Sequence, residues 1–154
     1  MTKEKQESLH KEFPEICHET GLAVGDGWFT ILWALCACIR NHIINKRRRS
    51  VYKDEGKEEA IKQHPYPEFG QVKEKFGELR VYMDKTNDYV DGLVDMAETM
   101  SSEICEQCGC PGKCTSEFGW VKTMCEVCKE DRRKNGPKWA REAEGRKVGE
   151  KRDS

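Results

Sequence analysis

Cys105-Glu106-Gln107-Cys108-Gly109-Cys110 opens the stretch that decides how this chain is read, and Met124-Cys125-Glu126-Val127-Cys128 closes it. Two Cys-x2-Cys pairs stand sixteen residues apart. That spacing predicts one tetrahedral metal site with Cys105, Cys108, Cys125 and Cys128 as ligands. Zinc in a structural role is the expected cofactor, because it takes four soft thiolates and four protein ligands leave no open position for water. Gly109 suits the tight turn after the first pair. Phe118-Gly119-Trp120-Val121 is expected to form a short hairpin between the pairs, and Lys129–Lys134 to begin a helix after the second. Knuckle, hairpin, knuckle, helix is the order of a treble clef, whereas a zinc ribbon ends on a strand. Cys110 and Cys114 bring six thiols to four positions. They are read as spare, with a ligand exchange or a redox switch as the alternative. None of the four histidines lies in the cluster, and the His-x-Glu at His10-Lys11-Glu12 stands far upstream of it, which argues against a zinc deaminase. No histidine follows Cys128, so the His of a treble-clef nuclease is missing as well. A non-enzymatic protein is expected.

Outward from this cluster, the composition sets limits. The chain has 154 residues, with 27 Lys+Arg against 28 Asp+Glu. A net charge of −1 excludes a simple polycation. Charge is unevenly spread: residues 51–104 hold 7 basic and 13 acidic residues, and residues 129–154 hold 10 and 6. No window reaches the ~18 consecutive apolar residues of a membrane span. Met1–Glu7 is charged with no apolar segment behind it, so a cytoplasmic protein is expected, with metal-bound rather than disulfide-bonded cysteines.

The fold class expected is α+β: a buried helix and an amphipathic helix on a small antiparallel hairpin, with a treble-clef or zinc-ribbon-like module near the C-terminus. Leu9, Phe13 and Ile16 share a helical face over residues 5–19, which Pro14 can split. Asp26 is a plausible cap for a central helix over 26–45. Eleven of the twelve residues Trp28–Ile39 are apolar, too few for a bilayer but suited to a core, with Trp28 and Trp33 inside it. Lys46-Arg47-Arg48-Arg49 is read as a solvated helix end rather than a phosphate site. Residues 50–70 read as a loop. Val90, Leu93, Val94, Ala97 and Met100 form one face of a helix over 87–103, capped by Asn87 or Asp88. Residues 1–104 are thus a core, 105–136 a metal module packed on it, and 137–154 a charged, disordered tail. Cys17-His18 and Cys36/Cys38/His42 are better read as core packing than as a second metal site.

Between these helices, residues 71–84 alternate as β-structure. Val72, Glu74 and Phe76 fall on one face and Lys73 and Lys75 on the other. A turn at Gly77-Glu78 then brings Arg80 and Tyr82 to the lysine face. Two ammonium groups, a guanidinium and a phenol make a platform for an anion, with Tyr82 able to stack on a base. The competing reading is a solvated sheet face with ion pairs to Glu74 or Glu78.

Gly25-Asp26-Gly27-Trp28, Gln71-Val72-Lys73-Glu74-Lys75-Phe76-Gly77-Glu78-Leu79-Arg80-Val81-Tyr82, Cys105–Gly112, Gly119-Trp120-Val121 and Cys125-x2-Cys128 occur in that order. Over residues 22–128 this resembles small hypothetical proteins of phages and prophages. The resemblance carries no activity. It implies a small accessory protein acting in the host cytoplasm, of a kind that counters a host defence by inhibiting an enzyme or sequestering its nucleotide signal. The expected partner is an anionic ligand, a nucleotide or a nucleic acid, bound by Lys73, Lys75, Arg80 and Tyr82. The alternative is a host protein held by the zinc module, with a homo-oligomer as a further option. A nucleic-acid-processing enzyme is the remaining alternative.

Overall fold

The computed structural model describes residues 1–18, 20–53, 56–137 and 140. Helices α1 (Lys3–Glu12) and α2 (Pro14–Cys17) are divided at Pro14, which sits in the first turn of α2 where its missing N–H costs nothing. A two-residue strand, β1 (Leu22–Ala23), leads into a 3-10 turn over Asp26–Trp28 and then α3 (Phe29–Tyr52). Asp26 does not cap α3. Its carboxylate instead accepts the Thr2 N–H at 2.6 Å, tying the N-terminal residues to this turn.

The expected central helix ends at 45, but α3 runs on to Tyr52. With the turn before it, the stretch Asp26–Tyr52 is long and apolar enough to cross a membrane by length and composition. The twelve-residue apolar run is only its first half. One face of α3, made of Ile31, Leu32, Leu35, Cys36, Ile39 and Ile43, is buried in the core. Trp28 is fully buried, but Trp33 is 36% exposed at the core's edge, packed edge-on against Phe13 at 5.1 Å. A helix apolar on nearly all sides here still buries one face.

Residues 50–70 are more ordered than a loop. Helix α4 (Lys57–Gln63) buries Ala60, and Arg47 stacks over Tyr66 at 4.3 Å while donating to the His64 carbonyl. Strands β2 (Glu68–Lys75) and β3 (Glu78–Asp84) pair antiparallel, with β1 parallel on the other edge of β2. Val72 faces Val81 and Lys73 faces Arg80. The turn is Phe76-Gly77, one residue earlier than Gly77-Glu78, and both of its residues have positive φ (55° and 82°). Phe76 therefore leaves the Val72 face and stands 65% exposed.

Helix α5 (Asp88–Ser101) is capped by the Asn87 side chain, which accepts from the Tyr89 and Val90 N–H groups. It packs against α3 and along the free edge of β3. There Ser101 Oγ accepts the Leu79 N–H at 2.8 Å and Glu98 accepts the Val81 N–H at 2.8 Å. The exposed edge of the sheet is thereby satisfied by side chains. Strands β4 (Lys113–Thr115) and β5 (Lys122–Met124) form a second, two-stranded sheet, followed by α6 (Glu126–Asn135). The chain is thus mixed helix and sheet, with the cysteine cluster toward its C-terminus. Phe118–Val121 forms the loop of the second hairpin rather than its strands. The tail expected over 137–154 lies, apart from Pro137 and Ala140, outside the described residues.

Candidate metal centre and ligand face

Two knuckles and a helix end position the four thiols. In the first, the Gly109 N–H returns to the Cys105 carbonyl at 2.9 Å, with Gly109 at φ +81°. In the second, Cys125 is the N-cap of α6, and its sulfur accepts the Cys128 N–H at 3.5 Å. The positive end of α6 thus points at the cluster, as suits a site carrying excess negative charge. The sulfurs of Cys105, Cys108, Cys125 and Cys128 all lie within 4.8 Å of one another and could hold one metal ion. Cys108 and Cys125 are 3.6 Å apart. Burial pushes the Cys105 and Cys128 thiols up. At Cys125 burial acts the same way but is outweighed by the Cys128 N–H and the neighbouring thiols, and the net shift is down. Cys110 and Cys114 are exposed and stand outside the quartet, as expected of spare thiols.

The cluster is seated on the core by the motifs that stood out in the sequence. Gly27 donates to the Glu106 carbonyl at 2.7 Å, and Trp28 Nε1 donates to the Ile104 carbonyl at 2.9 Å. A Cβ on Gly27 would lie 2.1 Å from the Cys105 carbonyl oxygen, so only glycine lets the two backbones approach this closely. Glu106 accepts the Gly25 N–H and the Lys122 ammonium, and Lys122 also reaches Glu74 at 2.7 Å. Thr123, fully buried, donates to the Gly77 carbonyl at 2.7 Å. Gly25–Trp28, Glu74–Gly77, Cys105–Gly109 and Lys122–Thr123 therefore meet at one seam. Their main-chain and side-chain groups bind each other, which is a structural explanation for motifs that look functional.

In comparisons with protein-family models, with curated proteins and with solved structures, nothing matched this chain.

The ligand face is only partly assembled as the alternation predicts. Lys73 lies opposite Arg80, and its ammonium sits 5.1 Å from the centre of the Tyr82 ring. Lys75 sits 5.5 Å over Phe76 at the tip. Arg80 is not free to grip an anion: its guanidinium is held by Glu78 at 2.5 Å and Glu98 at 3.2 Å. Glu74, in turn, is committed to the Gly77 N–H and Lys122. Alternation puts Phe76 on the Val72 face and so misses it as an exposed group, whereas Trp120, which reads from the sequence as hairpin packing or an exposed contact, is 60% exposed in the β4–β5 loop. Val121 packs against Gly77, so Trp120 and Phe76 each lie one residue from the same contact. The signal for Phe76 was the pair Phe76-Gly77 between two alternating runs, where a two-residue turn needs positive φ.

Cys17 and Cys36 are fully buried with their sulfurs 3.8 Å apart, and Cys38 is exposed. Cys17 and Cys36 fit core packing and Cys38 does not; among the described residues, the quartet is the group in which three or more metal-ligating side chains come together.

Proposed function

We propose that this is a non-enzymatic, zinc-stapled binding protein whose β2–β3 hairpin face takes an anionic ligand, a nucleotide or nucleic acid, through stacking and lysine contacts. The observation that carries this reading is Phe76. A large apolar side chain stands 65% exposed in left-handed backbone, a conformation that costs a non-glycine residue about 1 kcal/mol. The two-residue turn requires the positive φ, but it is usually filled by Asn, Asp or Gly and gives no reason for an exposed phenyl ring there. Phe76 and Tyr82 are interleaved with Lys73 and Lys75, the pairing of aromatic faces and cations that single-stranded nucleic acid selects. Arg80 acts by holding the hairpin to α5 and not by touching ligand.

Zinc is the metal this site suits. Four ligands at ~2.3 Å in a tetrahedron put the sulfurs ~3.8 Å apart, close to the Cys108–Cys125 separation of 3.6 Å. The order knuckle, hairpin, knuckle, helix supports a treble clef. Together with the resemblance to small phage and prophage proteins, this makes a phage-type accessory protein with a counter-defence role the biological context proposed here.

Fluorescence anisotropy with a labelled oligothymidine and a labelled adenine nucleotide tests the reading. Phe76→Ala and Lys73→Ala should each weaken binding by about tenfold with the melting temperature unchanged. Affinity for the oligonucleotide should fall steeply from about 50 to about 200 mM salt as counterions are released. The exposed Trp120 favours a second reading, a protein–protein inhibitor or adaptor using the metal module. Failure of both probes, together with a host-protein complex that Trp120→Ala disrupts and salt barely affects, would move the conclusion there.

A further inference from the structure

The opposite end of the β2–β3 hairpin carries a cleft that the hairpin tip does not involve. Two adjoining cavities, of about 540 and 660 Å³, share His42, Lys46 and Tyr89 as lining. Arg49 completes the first, and His64 and Lys85 line the second. The His42 ring is stacked on Tyr89, with centroids 4.1 Å apart and planes 10° from parallel. Tyr89 is 51% exposed and lines both cavities. His42 Nε2 is buried and makes no hydrogen bond. That nitrogen is out of a ligand's direct reach, and the ring's contact at the cleft is its stack on Tyr89.

The charges around it favour an anion. Lys46 and Arg49 come from the same helix as His42, one and two turns on. Neither forms a salt bridge among the described residues. His64 is hydrogen-bonded to Ser50, and Lys85 is paired with Glu68. Asp88, in the first turn of α5, is the acid at the rim. Burial, with Lys46, Arg49 and His64, holds the His42 imidazole below its ordinary pKa, so the group sits neutral with two unpaired cations beside it.

We propose that this cleft binds a small phosphate-bearing anion, with Lys46 and Arg49 on the phosphate oxygens and the exposed Tyr89 ring, backed by His42, available to a base. An ammonium and a guanidinium converging on one cavity suit phosphate, which Arg can hold in a bidentate fashion. The site is independent of the Phe76 tip: the seven residues of β3 separate the two by about 20 Å.

Calorimetric titration of the full chain with pyrophosphate and with ADP tests this. Saturable one-to-one binding is expected. Lys46→Ala and Arg49→Ala should each weaken it by about tenfold or more. Arg48→Ala, on the same helix but outside the cleft, should leave it unchanged. All three positions are at the surface, and unchanged melting curves confirm the fold. The His42 ring nitrogen resonances should shift during the same titration. Tighter binding of ADP than of pyrophosphate identifies a nucleotide through Tyr89, whereas equal binding identifies the phosphate group alone; either supports the site. Absence of saturable binding, equal binding by wild type and the Lys46 and Arg49 variants, or a silent His42 ring overturns it. Loss on Phe76→Ala with retention in Lys46→Ala also overturns it, by placing the anion at the hairpin tip.

Discussion

At the scale of single residues, the tightest constraint in the molecule is Gly27. Its backbone lies against Cys105, Cys108 and Gly109, and the nearest atoms are all main chain and cannot swing aside. Gly27→Ala should therefore force the knuckle off the 3-10 turn and break the bond from Gly27 to the Glu106 carbonyl. The expected loss is about 3 kcal/mol or more, the upper range for overpacking. Urea unfolding of the variant with a parallel metal assay checks this. A loss within about 0.5 kcal/mol, the range of a neutral surface change, would show that the seam is looser than these contacts require. Phe76 shows the opposite situation. The two-residue turn accounts for its positive φ, but its 65% exposed ring is not packed in the core, so its replacement is expected to affect binding and not stability.

At the scale of elements, α5 both packs on the core and finishes the sheet. Glu98 accepts the Val81 N–H and pairs with Arg80, so one carboxylate serves backbone and side chain together. Glu98→Ala should cost about 1–2 kcal/mol, because it leaves a strand N–H without its acceptor. Arg80→Ala should cost less, since that acceptor remains and a half-exposed ion pair contributes little. Chemical denaturation of both variants decides the order; a larger loss for Arg80→Ala would make the ion pair the principal contact. The helix itself was readable from Val90, Leu93, Val94 and Ala97 at 3.6-residue spacing and from Asn87 as its cap. That its polar side chains would cap β3 was not, because periodicity identifies a buried stripe and says nothing of what Glu98 beside that stripe will meet.

At the scale of the whole molecule, the cysteine quartet and the core stabilise each other. The knuckle supplies the acceptors for Gly25, Gly27 and Trp28, and Lys122 bridges Glu74 of the hairpin to Glu106 of the knuckle. Removing the metal with a chelator should therefore lower the melting temperature of the entire chain in one transition, and shift the emission of Trp28 to the red as it gains water. Cys128→Ser should do the same, while Cys110→Ser and Cys114→Ser should leave metal content unchanged. Acid should mimic the chelator. Burial favours the protonated thiols of Cys105 and Cys128, the metal must displace those protons, and its affinity falls as pH falls. Two separate thermal transitions, the core's unaffected by chelator, would show that the quartet is an appendage.

What could be read from residue order alone was whatever short-range chemistry dictates. The Cys-x2-Cys pairs pick out the four thiols that could hold one metal ion, alternation specifies β2 and β3, and spacing with a cap specifies α5. Each depends on residues a few positions apart. The chain order knuckle, hairpin, knuckle, helix followed from the same local signals. Contacts between distant segments were decided by the folded chain. A two-residue strand such as Leu22–Ala23 exists only because β2 lies beside it. Trp33 is at the edge because a single face of α3 meets the core. Arg80 is committed because Glu98, eighteen residues on, lands beside it. The His42–Lys46–Arg49–Tyr89 cleft combines one helix with the start of another. Its residues carry no motif, since nothing local requires them to be neighbours.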